Sequence, residues 1–273
     1  MIARIGDPSD ARLAPYRLVA DPPALARAGL FAAEGRLIAP RLLASRYRTH
    51  SILVSDAALA SLQPLIDRHP ALDVFVAAGE TISTVGGFDF HRGCLALGYR
   101  GEPLELAKLL EPGGWSPGPI VILEGINNPD NVGGIFRSAH AFGARAIVLG
   151  PHCGDPLYRK AIRTSMGTAL EVPWVEATNW PGDVRELHAR GYRIIALTTD
   201  RSAPPLGNAL EGTTQPVALM LGSEGYGLTP EALAAADTLA RIPMANDDAD
   251  SLNVAAAASI ALYGYTSIVD GKR

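Results

Sequence analysis

The sequence predicts an α/β protein in two parts, the second built on a mostly parallel β-sheet covered by helices on both faces. Three observations predict it. Short apolar runs alternate with stretches of helical periodicity along the chain, as strand–helix–strand units require. Several of those runs are continuously apolar, the pattern of strands buried on both sides. A breaker-rich stretch, Glu111-Pro-Gly-Gly-Trp-Ser-Pro-Gly-Pro119, interrupts the alternation part-way along the 273 residues.

The elements follow in order. Residues 9–28 read as a polar helical region broken at Asp21-Pro22-Pro23. Arg36–Ser45 has Leu37, Ile38 and Leu42 on one helical face, and Ala57–Arg68 repeats that spacing with Leu59, Leu62, Leu65 and Ile66. Ser51–Ser55, Asp73–Ala77 and Cys94–Gly98 are strands. Residues 1–112 are therefore taken as a smaller α/β domain, 113–119 as a linker and 120–273 as a second domain. In that second part Ile120–Leu123, Ala146–Leu149, Arg193–Leu197, Val217–Leu221 and Leu239–Ile242 are strands. Helices are expected over Val132–Phe142, from Asp155-Pro156 to about Ala169, and over Val184–Ala189, Pro230–Ala236 and Leu252–Tyr263.

Composition narrows the function. Hydrophobic residues make up 48% and charged residues 19%, which excludes a disordered chain. The run from Val254 to Tyr265 is shorter than the roughly 18–20 residues of a membrane span. The N-terminus MIARIGDPSD has no signal-peptide core, and two cysteines build no disulfide framework, so a soluble cytoplasmic protein is expected. The net charge of −4 excludes a global basic field. Residues 1–48, however, hold eight Arg against four acids, which leaves −8 on the remainder. Such asymmetry accompanies anionic partners.

Three loops follow strands, where ligands of open α/β sheets bind. The first, Glu124–Ser138, offers Asp130 or Asn131 as a helix cap. Its Gly133 and Gly134 disfavour helix by up to about 1 kcal/mol each, so backbone must be approached closely there. Val132, Ile135, Ala139 and Phe142 form the apolar stripe, and Arg137 leaves from another face. The second, Leu221–Leu228, packs three glycines into six residues but matches neither a P-loop nor a dinucleotide fingerprint. The third, Ile242–Val254, leads into an Ala-rich helix that Ser251 or Asn253 can cap. Its Asp247, Asp248 and Asp250 lack the order of a calcium loop, so no metal is expected.

Together the loops resemble the SpoU/TrmH family of RNA ribose 2′-O-methyltransferases, of the SPOUT (α/β-knot) superfamily. Asn128-Pro-Asp-Asn-Val-Gly-Gly-Ile-Phe-Arg-Ser-Ala-His-Ala-Phe-Gly143 is similar to its first motif. Leu221-Gly-Ser-Glu-Gly-Tyr-Gly-Leu228 is similar to the second, and Ile242-Pro-Met244 with Ser251-Leu-Asn-Val254 to the third. The match covers roughly residues 118–265. Residues 30–98 resemble more loosely the ribosomal-protein-like (L30e-like) RNA-binding domain that many members carry.

The resemblance implies S-adenosylmethionine bound in a trefoil knot and a homodimer, although general rules of topology would exclude a knot. It implies catalytic roles for Arg137, Asn131, Glu224, Ser251 and Asn253, with Asn131 orienting Arg137 or the ribose. It implies a cofactor pocket from Leu221, Gly222, Gly225, Ile242, Met244, Ser251 and Leu252, to which Thr198 is added as the residue just past Arg193–Leu197. RNA (rRNA or tRNA) would be gripped by Arg41, Arg46 and Arg48 in front and by Arg159, Lys160 and Arg163 on the helix after Pro156. A Rossmann-type methyltransferase lacks its glycine loop here, since Glu124–Asn131 holds only Gly125, and both cysteines lie outside the motifs. A relative that binds RNA without methylating it is the alternative reading.

Overall fold

Ile120–Leu123 lies inside a six-stranded, wholly parallel sheet in the computed structural model of the chain. The structure describes residues 1–87, 93–111, 118–246 and 251–269. The first elements are β1 (Ile2–Arg4), α1 (Ala14–Arg17), α2 (Pro22–Arg27), β2 (Leu30–Glu34), α3 (Ala39–Ala44) and β3 (Thr49–Val54). Next come α4 (Asp56–Ile66), β4 (Asp73–Val76), α5 (Gly79–Gly86), β5 (Cys94–Tyr99), α6 (Leu106–Leu109), β6 (Ile120–Leu123) and α7 (Pro129–Ala141). They are followed by β7 (Ala146–Leu149), α8 (Arg159–Thr164), β8 (Trp174–Glu176), α9 (Gly182–Ala189) and β9 (Arg193–Leu197). The chain ends with α10 (Leu206–Leu210), β10 (Val217–Leu221), α11 (Pro230–Leu233), β11 (Thr238–Ala240) and α12 (Val254–Ile268).

Contacts sort these into two compact units, Met1–Glu102 with Leu157–Glu171, and Pro103–Pro156 with Val172–Arg273. The first unit is a mixed sheet of order β1-β4-β3-β5-β2. Its β1, β4 and β3 run parallel, and β5 runs antiparallel to both its neighbours. Leu13, Tyr16, Leu53, Ile82, Leu95 and Leu97 fill one core. The Tyr16 hydroxyl meets Ser51 Oγ at 2.7 Å, so that buried polar group is satisfied.

Helix α8 belongs to this first unit, although its sequence position lies between β7 and β8. Its Arg159 guanidinium donates to the buried Glu34 carboxylate at 3.0 Å, and Arg163 approaches the same oxygen at 4.0 Å. The helix begins after Tyr158 and not at Asp155-Pro156 as the sequence suggested, and a 3-10 turn at Thr168–Leu170 replaces its expected end.

In the second unit the strand order is β11-β9-β10-β6-β7-β8, every pair parallel. From β6 the chain runs outward through β7 and β8, then returns to build the other half through β9, β10 and β11. The order therefore reverses between β6 and β10, whose registers end together at Leu123 and Leu221. Ligands of open α/β sheets gather beyond the carboxyl ends of strands at such a switch point.

Residues 103–112, which the sequence placed in the front domain, supply Leu104, Leu106, Leu109 and Leu110 to the core around Ile120, Ile122 and Ala146. An amphipathic turn buries its apolar side wherever a core is open, and no local signal says which core that is. Most of the expected linker 113–119 lies outside the described residues; Pro119 accepts a hydrogen bond from Arg145 N at 2.8 Å. The sequence did not mark β1, β2 or β8 as strands, nor α5, α6 or α10 as helices. The short ones among these span too few residues to show a period.

Candidate active site

The site is built where the loop after β6 meets the loop after β10. Helix α7 starts on Pro129, whose fixed φ suits the first helical position. Asn128 then caps it, its side-chain oxygen accepting from Asp130 N at 2.9 Å. The sequence had offered Asp130 or Asn131 for that role. Because proline sets the start one turn earlier, Asn131 lies inside the helix with its side chain free for other work.

That work is a contact with the third loop. Asn131 is buried, and its Oδ1 accepts from Asn253 Nδ2 at 2.9 Å. The same Nδ2 donates to Glu224 Oε1 at 2.7 Å, and Val254 N donates to that carboxylate oxygen at 3.2 Å. Asn253 Oδ1 meanwhile caps α12, accepting from Ala255 N at 3.0 Å and Ala256 N at 3.2 Å. An oxygen held by two backbone N–H groups fixes which end of the amide is NH₂, and both its hydrogens are then used. One side chain thus ties together the first, second and third motifs.

Gly134 and Gly222 have a packing reason. A Cβ on Gly134 would lie 3.0 Å from the Ala255 Cβ, so glycine lets α7 and α12 approach closely. Ser138 Oγ and Ser259 Oγ meet across the two helices at 2.7 Å. A Cβ on Gly222 would collide with the backbone of Gly227 and Leu228. The loop there folds back on itself, with Ser223 N donating to Gly227 O at 3.2 Å and Gly227 N to Ser223 O at 3.0 Å. Gly225 and Gly227 carry positive φ of +94° and +70°, which L side chains rarely adopt.

Arg137 emerges exposed from α7, off the apolar stripe as expected. Among the described residues it has no hydrogen-bond or ion-pair partner, and Asn131, expected to orient it, is turned to Asn253 instead. Ser251 is exposed and does not join the Asn131–Asn253–Glu224 cluster.

The expected cofactor residues fall on four loop segments of the same unit. Leu221 ends β10 buried, with Gly222 and Gly225 in the loop that follows. Thr198 follows β9, its N donating to Ala240 O at 2.9 Å and its hydroxyl oxygen accepting from Asp200 N at 3.1 Å. Ile242 and Met244 are half-buried, while Leu252 stands exposed. Asp247, Asp248 and Asp250 lie outside the described residues. Open apolar side chains around a backbone cradle that a Cβ would fill fit a ligand with an apolar ring and hydrogen-bonding edges.

Sequence reasoning missed the second carboxylate of the site. Glu124, directly after β6, is buried and satisfied three ways. Trp180 Nε1 donates to it at 2.7 Å, Thr229 N at 2.8 Å and Thr229 Oγ1 at 2.9 Å. Its signal was an acidic residue closing a wholly apolar strand, and its partners are 56 and 105 residues away. Burial pushes the Cys153 thiol nearby up in pKa, and its Sγ donates to Leu123 O at 3.4 Å.

The six expected RNA residues all fall in the first unit. Arg41 pairs with Glu171 at 3.0 Å, and Arg159 and Arg163 face Glu34. Arg46 lies over the Tyr47 ring at 4.7 Å and Arg48 over Tyr99 at 3.9 Å, both guanidinium groups remaining exposed. Lys160 is half-buried.

A carboxylate–amide cluster beside a guanidinium that has no partner among the described residues, at a switch point, marks an α/β protein with a place for an anionic ligand. Residues 118–263 match the model of the SpoU rRNA methylase family. A tRNA/rRNA methyltransferase of Mycobacterium bovis, itself uncharacterized, is 37% identical over 265 residues, covering 95% of this chain and 90% of its own. A 23S rRNA (guanosine-2′-O-)-methyltransferase, RlmB, of Ralstonia nicotianae is 32% identical over 191 residues, covering 68% and 74%. The crystal structure of an AdoMet-bound rRNA methyltransferase from Sinorhizobium meliloti superposes with a TM-score of 0.83 over 98% of each chain at 23% identity, a likeness of fold. The chain belongs to the SpoU rRNA methylase family. It is an RNA methyltransferase.

Proposed function

We propose that the chain transfers the methyl group of S-adenosylmethionine to a ribose 2′-hydroxyl of ribosomal or transfer RNA. The observation that carries this is Asn253, which ties Glu224 to Asn131 of the helix that presents Arg137. The sulfonium supplies an activated methyl, so the protein needs neither metal nor covalent intermediate. Its task is alignment of oxygen, carbon and sulfur, which can contribute on the order of 7–11 kcal/mol. Leu221, Gly222, Gly225, Thr198, Ile242, Met244, Ser251 and Leu252 hold the cofactor.

A guanidinium does not act as a general base in neutral solution, so Arg137 has another role. Its guanidinium holds a phosphate of the target bidentately and stabilises alkoxide character on the adjacent hydroxyl. Asn131 acts through Asn253 by fixing the third loop. In the first unit Arg41, Arg46, Arg48, Arg159, Lys160 and Arg163 contact the RNA backbone, Arg46 and Arg48 most directly because their charges are exposed. That unit, a mixed sheet with helices, plays the part of the L30e-like domain.

The proposal includes a trefoil knot and a homodimer. After β11 the chain returns to pack α12 on α7 and β10, the return path a knotted topology needs. Ile260 and Tyr263 stand 42% and 61% exposed on α12, an apolar face suited to a second copy. The proposed work on rRNA or tRNA is cytoplasmic, which fits the absence of any described helix long and apolar enough to cross a membrane.

The test incubates the purified chain with labelled S-adenosylmethionine and rRNA or tRNA from a strain lacking the gene. Label should enter RNA at a phosphodiester that resists alkaline hydrolysis. Absence of both methyl transfer and calorimetric cofactor binding refutes the proposal.

A further inference from the structure

Beyond the carboxyl ends of β6, β7 and β10 lies a cavity of about 530 Å³ that none of the roles above uses. Its lining includes Glu124 and Gly125 of the first loop, His152 after β7, Trp180, Ser223 and Tyr226 of the second loop, and Glu231. We propose that this cavity receives the unstacked base of the target nucleotide, gripped between the rings of Tyr226 and Trp180. The proposal rests on the methyltransferase reading and names where that substrate's base goes.

The lining says what the occupant is. Among the described residues it contains two carboxylates, Glu124 and Glu231, and no Arg or Lys, so a phosphate is disfavoured. Two aromatic rings line it instead, and they suit a neutral flat ring. Base–aromatic stacking is how single-stranded RNA is read wherever the base must leave its helix.

Tyr226 is the more unusual wall. It is 97% exposed at the tip of the second loop, and no described residue packs a ring against it. A large aromatic ring held in water loses the burial that normally justifies it. The loop beneath is nonetheless built to hold it. Gly225 and Gly227 adopt positive φ on either side, and the Ser223–Gly227 hydrogen bonds close the turn. Trp180 is the fixed wall, its Nε1–H anchored on Glu124 at 2.7 Å.

Chain continuity supplies the link to the chemistry. Glu224 stands two residues before Tyr226, and Gly125 opens the loop that leads to Asn131. The Asn131–Asn253–Glu224 cluster and this cavity therefore share two loops, and the proposal puts the ribose at the first and its own base in the second. None of the residues expected to hold the cofactor, apart from the loop shared with Gly222 and Gly225, lines it.

Two measurements test this on the full-length chain. In the first, Trp180 fluorescence is followed while single-stranded oligoribonucleotides are added, with Trp180→Phe identifying its share of the signal. Quenching should weaken roughly 10- to 100-fold in apparent affinity in Tyr226→Ala and persist in Tyr226→Phe, the scale of one lost stacking contact. No quenching of Trp180 overturns the proposal whether or not the chain methylates. In the second, kcat/KM for RNA should fall over a similar range in Tyr226→Ala, with Tyr226→Phe near wild type and cofactor affinity unchanged in both. Wild-type turnover in Tyr226→Ala, or loss of cofactor binding, overturns it too; the latter would assign the cavity to the cofactor's adenine. If wild type binds oligoribonucleotide in the cavity but no S-adenosylmethionine, the methyltransferase reading fails and the base pocket stands.

Discussion

Asn253 Nδ2 donates to Glu224 Oε1 at 2.7 Å while the same side chain caps α12 through its oxygen. One residue thus caps a helix and holds the cluster proposed for catalysis, and turnover measured beside stability tells the two apart. Asn253→Ala removes the cap and should lower stability by about 1 kcal/mol. Asn253→Asp keeps the capping oxygen but places a second carboxylate against Glu224. We expect both variants to be less stable in urea, the Asp variant because its carboxylate repels Glu224 and leaves the buried Asn131 oxygen without its donor although the cap is kept, and both to lose at least roughly tenfold in methyl transfer, since removing a hydrogen bond to a charged group costs about 1.5–3 kcal/mol. Wild-type turnover in Asn253→Asp would show that the cluster is purely structural.

Arg137 is exposed and has no partner among the described residues. Folding therefore gains little from it, and Arg137→Ala should melt with wild type and bind S-adenosylmethionine normally. Methyl transfer should be abolished. Arg137→Lys keeps the charge but not the bidentate fork, and should recover only part of the rate. Circular dichroism, calorimetry and the transfer assay separate the three effects, and unchanged turnover in Arg137→Ala removes the residue from its role.

How much of this was legible in the sequence depends on how local each feature is. The strands β6 and β10 announce themselves as continuous apolar runs, and the Asn253 cap sits directly before its helix. The capping residue of α7 was misplaced because Pro129 sets the start, a signal read only once its position is weighed. Glu124 was passed over because its donors, Trp180 and Thr229, lie far along the chain. The placement of α8 was invisible for the same reason: Arg159 and Arg163 look like a basic helix face until Glu34, more than a hundred residues earlier, is brought beneath them.

The contact of α7 with α12 can be tested through Gly134, where a Cβ would already lie 3.0 Å from Ala255. Gly134→Ala gains helix propensity of about 1 kcal/mol and loses part of it to crowding. Gly134→Val adds bulk that the facing helix cannot yield to, and should destabilise by roughly 1–3 kcal/mol. Ala255→Gly should relieve part of that loss. A double-mutant cycle from denaturant midpoints measures the coupling, and additive losses would mean that the helices do not press on each other here.

Alkaline stability should be set in part by Cys94. It is fully buried, and burial pushes its thiol from the ordinary 9.0 to about 12. Between those values the unfolded chain has released the proton and the folded chain retains it. The folded state then binds more protons, so stability is complete below pH 9 and falls as pH rises toward 12. The slope is on the order of 1 kcal/mol per pH unit. Tyr16, buried beside Ser51, has its phenol raised by the same desolvation and acts in the same direction, starting from a higher ordinary value. Urea midpoints at pH 8, 10 and 11 should decline in wild type, less steeply in Cys94→Ala, and least in Cys94→Ala combined with Tyr16→Phe. An identical decline in Cys94→Ala would assign alkaline unfolding to other groups.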